Sequence, residues 1–99
     1  VEGLGKLKAA FKPGGTTTAG NSSQVSDGAA VVLLASREAA VRHGLPIIAR
    51  FVDFTVAGCA PEVMGIGPSL AIPQLLNKHG LTVADIGIFE LNEAFASQA

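Results

Sequence analysis

From Ala29 to Ala35 the chain is apolar without a break, and Val31, Val32, Leu33 and Leu34 fill its middle. Seven residues are few for a helix, and the β-branched content favours a strand whose two faces are both covered. Such a strand needs a layer on either side, so the run predicts a layered α/β architecture rather than a one-sided sheet. At 99 residues and 48% apolar content the chain holds at most one domain's worth of core and is too apolar for disorder. It starts at Val1 rather than Met and stops at Ala99, and we expect a piece of a longer protein.

The flanking pattern alternates. Leu4, Leu7 and Phe11 sit at helical spacings ahead of Pro13, Gly14 and Gly15, which predicts a short amphipathic helix over 4–11. Gly14 to Gly28 is rich in Gly, Thr, Ser and Asn and reads as a loop long enough to have a use of its own. After the apolar run, Ser36 offers an N-cap, Glu38 suits the first turn, and Arg42 and His43 precede the stop at Gly44. Pro46 to Ala57 reads as a second strand, closed by Gly58. Pro61–Pro68 is a loop, and a helix follows with Ile72, Leu75, Leu76 and His79 on one face, Pro73 near its first turn and Gly80 at its end. Leu81–Asp85 connects to a third strand, Ile86–Leu91, after which Asn92 can cap a helix beginning Glu93-Ala94-Phe95-Ala96.

Composition excludes several function classes. Seven Lys and Arg against eight Asp and Glu give a net charge of −1 with no basic run, a poor basis for nucleic-acid binding. No apolar stretch approaches the roughly 18 residues of a membrane span. The single cysteine, Cys59, forms neither an internal disulfide nor a cysteine-rich metal site, no spacing of metal ligands stands out, and this fits a reducing compartment. Neither a signal peptide nor a C-terminal Ser-Lys-Leu address occurs in this stretch.

Polar groups at the carboxyl ends of strands are where α/β sheets hold ligands, and Asn92 stands at such a junction. Its amide either caps the next helix or donates, directly or through water, to an oxyanion. Asn21, Ser22 and Ser23 lie in the glycine-rich loop, as a solvated turn or as hydrogen-bonding partners of an extended cofactor. Met64, next to Gly65, either fills core or lines an apolar tunnel. Cys59 follows an apolar strand with no base in view and reads as a small buried hydrophobe rather than a nucleophile. His43 and His79 sit at helix ends where partial positive charge is favoured. Glu90 is unusual inside a buried strand and needs a donor or a water.

Three blocks together resemble a known family: Thr18-Ala19-Gly20-Asn21-Ser22-Ser23-Gln24-Val25-Ser26-Asp27-Gly28-Ala29, Val63-Met64-Gly65-Ile66-Gly67-Pro68, and Asn92-Glu93-Ala94-Phe95-Ala96-Ser97-Gln98-Ala99. The chain resembles the thiolases, and Ile66-Gly67-Pro68 with Phe89-Glu90-Leu91-Asn92-Glu93-Ala94-Phe95 is most similar to the peroxisomal type of 3-ketoacyl-CoA thiolase. The resemblance runs from about Leu4 to Ala99 and covers a minor part of a complete thiolase.

It implies the layered αβαβα thiolase fold, with residues 1–25 ending a loop domain, 26–45 closing the first half and 46–99 opening the second. Ser23, with Ser22 beside it, would hold the pantetheine of coenzyme A, Met64 would line its tunnel, Phe95 would shape the pocket, and Asn92 would position a water in the oxyanion hole. The implied reaction is acyl transfer to coenzyme A with release of acetyl-CoA in β-oxidation, with coenzyme A as co-substrate and no permanently bound cofactor or metal. A homodimer or homotetramer is implied, in the peroxisome or else in mitochondria or cytoplasm. The family's nucleophilic cysteine, its Gly-His-Pro histidine and its acid/base cysteine would lie outside these residues, so the segment alone is expected to be inactive. Competing expectations are a thiolase-like acyl-CoA or lipid carrier domain without catalysis, and a purely structural fragment.

Overall fold

Two α-helices carry the local order of the chain, and both end in the same way. The computed structural model describes all of residues 1–99. Helix α1 spans Arg37–Arg42 and α2 spans Gly67–Lys78. At the start of α1 the Ser36 hydroxyl accepts the Ala39 N–H, satisfying one of the free amides of the first turn. Its own backbone N–H and the Ser36 hydroxyl hold the Glu38 carboxyl below its usual range. At its end, Gly44 takes φ +63 and donates to the Val41 carbonyl while Leu45 donates to the Ala40 carbonyl, a Schellman arrangement. Helix α2 repeats it: Gly80 at φ +64 donates to Asn77, and Leu81 donates to Leu76. Ala40 and Leu76, whose carbonyls accept the bonds that reach five residues back, are the two buried residues of the chain.

Pro68 lies in the first turn of α2, where its missing N–H is not needed. Pro73 lies deeper in the helix than the sequence suggested and removes the donor that the Ser69 carbonyl would have received. Ahead of α2, Pro61–Ile66 forms 3-10 turns broken at Val63. Between α2 and the third apolar segment, Thr82–Asp85 closes a reciprocal cap in which Asp85 accepts from both the Thr82 backbone and its hydroxyl.

The apolar segments 29–35, 46–57 and 86–91, expected as strands, carry no ladder of paired strands, and the chain's one β-bridge joins Ser22 to Phe95. A strand is stabilised by the ladder it forms with a neighbour, and none of the three segments forms one. The middle segment nevertheless has strand character. Asp53, Thr55, Ala57 and Cys59 are partly covered while Phe54, Val56 and Gly58 between them are exposed, the period of two expected of extended backbone. On the covered side, Asp53 accepts from Lys78 Nζ at 2.6 Å and from His79 Nε2 at 2.8 Å, which ties the segment to the last turn of α2. These two donors, with the Phe54 N–H, hold the Asp53 carboxyl far below the ordinary carboxylate range.

Two expected helices are absent. Of the helix expected over 4–11, only a 3-10 turn at Leu4–Lys6 forms, because Leu7 turns to φ −69, ψ 138 and the chain then bends back to let Ala10 donate to Thr17. The helix expected from Glu93 is replaced by turns, since the backbone of 94–96 pairs with 21–23 instead of with itself. Asn92 therefore caps no helix. Much apolar surface is bare: the accessible area is 8877 Å², against about 5,200 Å² for a folded monomer of this mass. The radius of gyration, 19.3 Å, exceeds the about 13 Å of a compact domain of this length.

Candidate functional site

The glycine-rich loop is held by its own side chains. Thr18 and Asn21 form a reciprocal cap: Asn21 Oδ1 accepts the Thr18 N–H at 2.8 Å and the Thr18 hydroxyl accepts the Gly20 N–H at 3.2 Å, while the Asn21 N–H donates to the Thr18 carbonyl at 3.3 Å. Asn21 Nδ2 donates to the Thr16 carbonyl at 3.0 Å and the Ser22 hydroxyl donates to the Thr18 carbonyl at 2.7 Å. Gly20 packs closely on the N-terminal turn: a Cβ there would stand 2.6 Å from Leu7 Cδ1 and 3.0 Å from Leu4 Cδ2, so these leucine ends would have to shift. The loop thus rests on the N-terminal turn as a formed object rather than a solvated strand of chain.

Its far edge pairs with the last block of sequence. The Ser23 N–H donates to the Ala94 carbonyl at 2.8 Å and the Ala96 N–H donates to the Asn21 carbonyl at 2.9 Å, flanking the antiparallel Ser22–Phe95 bridge. Asn92 is exposed and lies two residues before Ala94, so its Cα is at most about 7 Å along the chain from the residue that Ser23 grips. The middle block, 63–68, is drawn in through Gln98. Its N–H donates to the Phe95 carbonyl at 2.9 Å, and its side chain backs onto Gly65, where a Cβ would lie 3.6 Å from Gln98 Cβ and Cγ. Met64, beside Gly65, is 75% exposed.

Ser22, Ser23 and Phe95 are therefore adjacent, Asn92 stands just up the chain, and Met64 flanks the same turn through Gly65 and Gln98. Chemically this paired stretch carries a neutral amide at Asn92 and hydroxyls at Ser22 and Ser23, groups that hydrogen-bond without bringing charge. An open groove of ≈ 510 Å³ lies elsewhere in sequence, lined by Lys8–Gly14.

Other residues singled out from sequence are placed differently. Cys59 is half-exposed rather than buried, on the partly covered side of its segment, with Sγ 3.9 Å from the Val63 and Met64 carbonyls. Glu90 is exposed. His43 and His79 end α1 and α2 as expected, and His79 adds the contact to Asp53. No group of three or more His, Cys, Asp or Glu side chains is arranged to hold a metal ion, and no helix is long and apolar enough to cross a membrane. The bracing role of Asn21 and the contact made by Gln98 were not read from sequence. The first had a signal, the Thr-x-x-Asn spacing of a reciprocal cap, which Thr82-x-x-Asp85 repeats.

Comparison with known proteins matches these blocks in order. The family model for the N-terminal domain of thiolase matches residues 1–38, and that for the C-terminal domain matches residues 45–99. The chain is 66% identical over its 99 residues to the peroxisomal 3-ketoacyl-CoA thiolase B of Rattus norvegicus and spans 23% of that protein's length. A crystal structure of human mitochondrial 3-ketoacyl-CoA thiolase superposes with a TM-score of 0.90 at 49% identity, covering 98% of this chain and 25% of that one. The same human protein in complex with CoA gives a TM-score of 0.89 over the same shares. The three extended segments thus follow the course of a layered thiolase-like α/β fold even though no ladder joins them here. With family models covering both of its parts and a shared backbone course, the chain belongs to the thiolase family.

Proposed function

We propose that this chain is a segment of a 3-ketoacyl-CoA thiolase that transfers an acyl group to coenzyme A and releases acetyl-CoA in fatty-acid β-oxidation. The observation that carries the reading is the pairing of 21–23 with 94–96, which sets a serine-bearing loop beside the stretch that holds Asn92. Ser23, assisted by Ser22, hydrogen-bonds the pantetheine arm, Met64 lines its path, and Phe95 shapes the acyl end. Asn92 holds a water against the thioester oxygen. Thiolysis begins with attack of a cysteine thiolate, supplied outside these residues, on the 3-keto carbon. As the C–C bond breaks, its electron pair is delocalised onto the thioester oxygen of the departing acetyl-CoA, and the donor held by Asn92 stabilises that charge more in the transition state than in the ground state. Protonation of the carbanion and return of the acyl group to coenzyme A complete the cycle.

On this reading residues 1–25 end the loop domain, 26–45 close the first thiolase half and 46–99 open the second, a division supported by family matches over 1–38 and 45–99. The complete protein is peroxisomal, as its rat relative is named, and a homodimer or homotetramer. The 99-residue segment alone is inactive, because it carries neither the nucleophile nor the proton-transfer groups.

The test is thiolysis of acetoacetyl-CoA by the complete protein. Asn92→Ala lowers kcat by about 10²–10³, the usual effect of losing one oxyanion donor, with the KM for coenzyme A little changed. Ser23→Ala raises that KM and spares kcat. Wild-type kinetics in both variants, or coenzyme-A-dependent loss of acetoacetyl-CoA catalysed by the isolated 99 residues, overturns the reading.

A further inference from the structure

We infer that Asn21 is a positioning residue that locks the serine-bearing loop onto the Asn92 stretch, so that its side chain sets the placement of two groups it never touches; the functional half of this inference rests on the coenzyme A reading above. Asn21 is used at both ends. Its amide accepts from the Thr18 N–H at 2.8 Å and donates to the Thr16 carbonyl at 3.0 Å, bracing the inner side of the turn. Its own carbonyl accepts the Ala96 N–H at 2.9 Å, fastening the outer side to the last block. The next residues along, Ser22 and Ser23, complete the bridge to Phe95 and Ala94.

The bridge is short, and nothing else in the chain pairs as β-structure, so it lacks the cooperative support that a sheet lends to its members. Its two flanking hydrogen bonds survive only if the turn presents the Asn21 carbonyl and the Ser23 N–H at the right separation. The Asn21 amide fixes that separation by tying residues 16, 18 and 21 together. An aspartate keeps the acceptor for Thr18 but places a second oxygen against the Thr16 carbonyl, where the native Nδ2 donates. The ionised acid repels that carbonyl, and the protonated acid donates to it and restores the brace.

Amide hydrogen exchange on the complete protein tests the coupling without any ligand. Asn21→Ala removes two hydrogen bonds and lowers the protection of the Ser23 and Ala96 amides by about tenfold, while the His43 amide at the end of α1 keeps its protection. In Asn21→Asp the same two amides are deprotected at neutral pH and recover toward wild type as the pH falls through the carboxylate range. Should Asn21→Ala fail to fold, Asn21→Asp alone decides. Unchanged protection of Ser23 and Ala96 in Asn21→Ala, or in Asn21→Asp at neutral pH, overturns the inference. In thiolysis assays Asn21→Ala raises the KM for coenzyme A and lowers kcat, each by about tenfold, because Ser23 and the Asn92 stretch lose their mutual placement together. Deprotection with an unchanged KM in both Asn21→Ala and Ser23→Ala leaves the brace standing and overturns the coenzyme A reading instead.

Discussion

The helix ends and the apolar extended segments of this chain answer to different kinds of information. Helices α1 and α2 each close on a left-handed glycine, Gly44 or Gly80, with the same pair of backbone hydrogen bonds, and the residues behind those caps are the two that are buried. The segments 29–35, 46–57 and 86–91 are more apolar, yet they have no ladder, and Val31, Phe54, Val56 and Ile88 remain exposed. A cap is satisfied within six residues, whereas a strand is satisfied by another strand. Local chemistry therefore completes itself in this segment, and non-local pairing waits for surfaces that the segment does not supply.

The most severe way to break this comparison is calorimetric. A self-sufficient domain of this length absorbs about 60–80 kcal/mol on unfolding. With two buried residues, the isolated 99-residue chain is expected to show no cooperative heat absorption. A single sharp peak of the normal size would mean that the extended segments find partners after all.

Smaller effects sharpen the contrast from the helix side. In the complete protein, Gly80→Ala is expected to cost about 1–2 kcal/mol in urea denaturation, the penalty of holding a Cβ in the left-handed region. Gly44→Ala should match it, because a Cβ meets nothing within 4 Å at either position and the cost is one of conformation alone. Ser36→Ala is expected to cost about 1 kcal/mol by the same measurement, through loss of the bond to the Ala39 N–H. A cost near zero for all three would show that tertiary packing, not the caps, holds these helices.

What was legible in the sequence follows the same division. Ser36, Glu38, Gly44 and Gly80 announced the helices because each acts on its own turn. The strand segments were legible as apolar runs, but their pairing was not, since no residue in them names its neighbour. The helix expected after Asn92 failed for a non-local reason: 94–96 gives its hydrogen-bonding groups to 21–23, and no propensity within Glu93–Ala96 can report that. The grouping of Ser22, Ser23 and Phe95 was expected from resemblance, whereas the brace at Asn21 and the backing of Gly65 by Gln98 depend on atoms meeting in space. Asp53 was likewise silent in sequence, its partners lying at the far end of the next helix.

Asp53 also gives the smallest effect and the one place where an extended segment is fastened as a helix is. Its carboxylate accepts from Lys78, His79 and the Phe54 amide, and these contacts hold its protonation well below the ordinary value of 3.8. Because the folded group binds its proton more weakly than the unfolded one, its contribution is fully present above about pH 4 and fades as the pH falls below that. In acid titrations of the complete protein, wild type is thus expected to lose stability between about pH 4 and 2 more steeply than Asp53→Asn. Salt should narrow the difference, since the Lys78 side chain is 61% exposed and screened by mobile ions. Parallel titrations of the two proteins would show instead that the extended segment 46–57 is held by its apolar contacts alone, and that the fastening to α2 follows from packing rather than causing it.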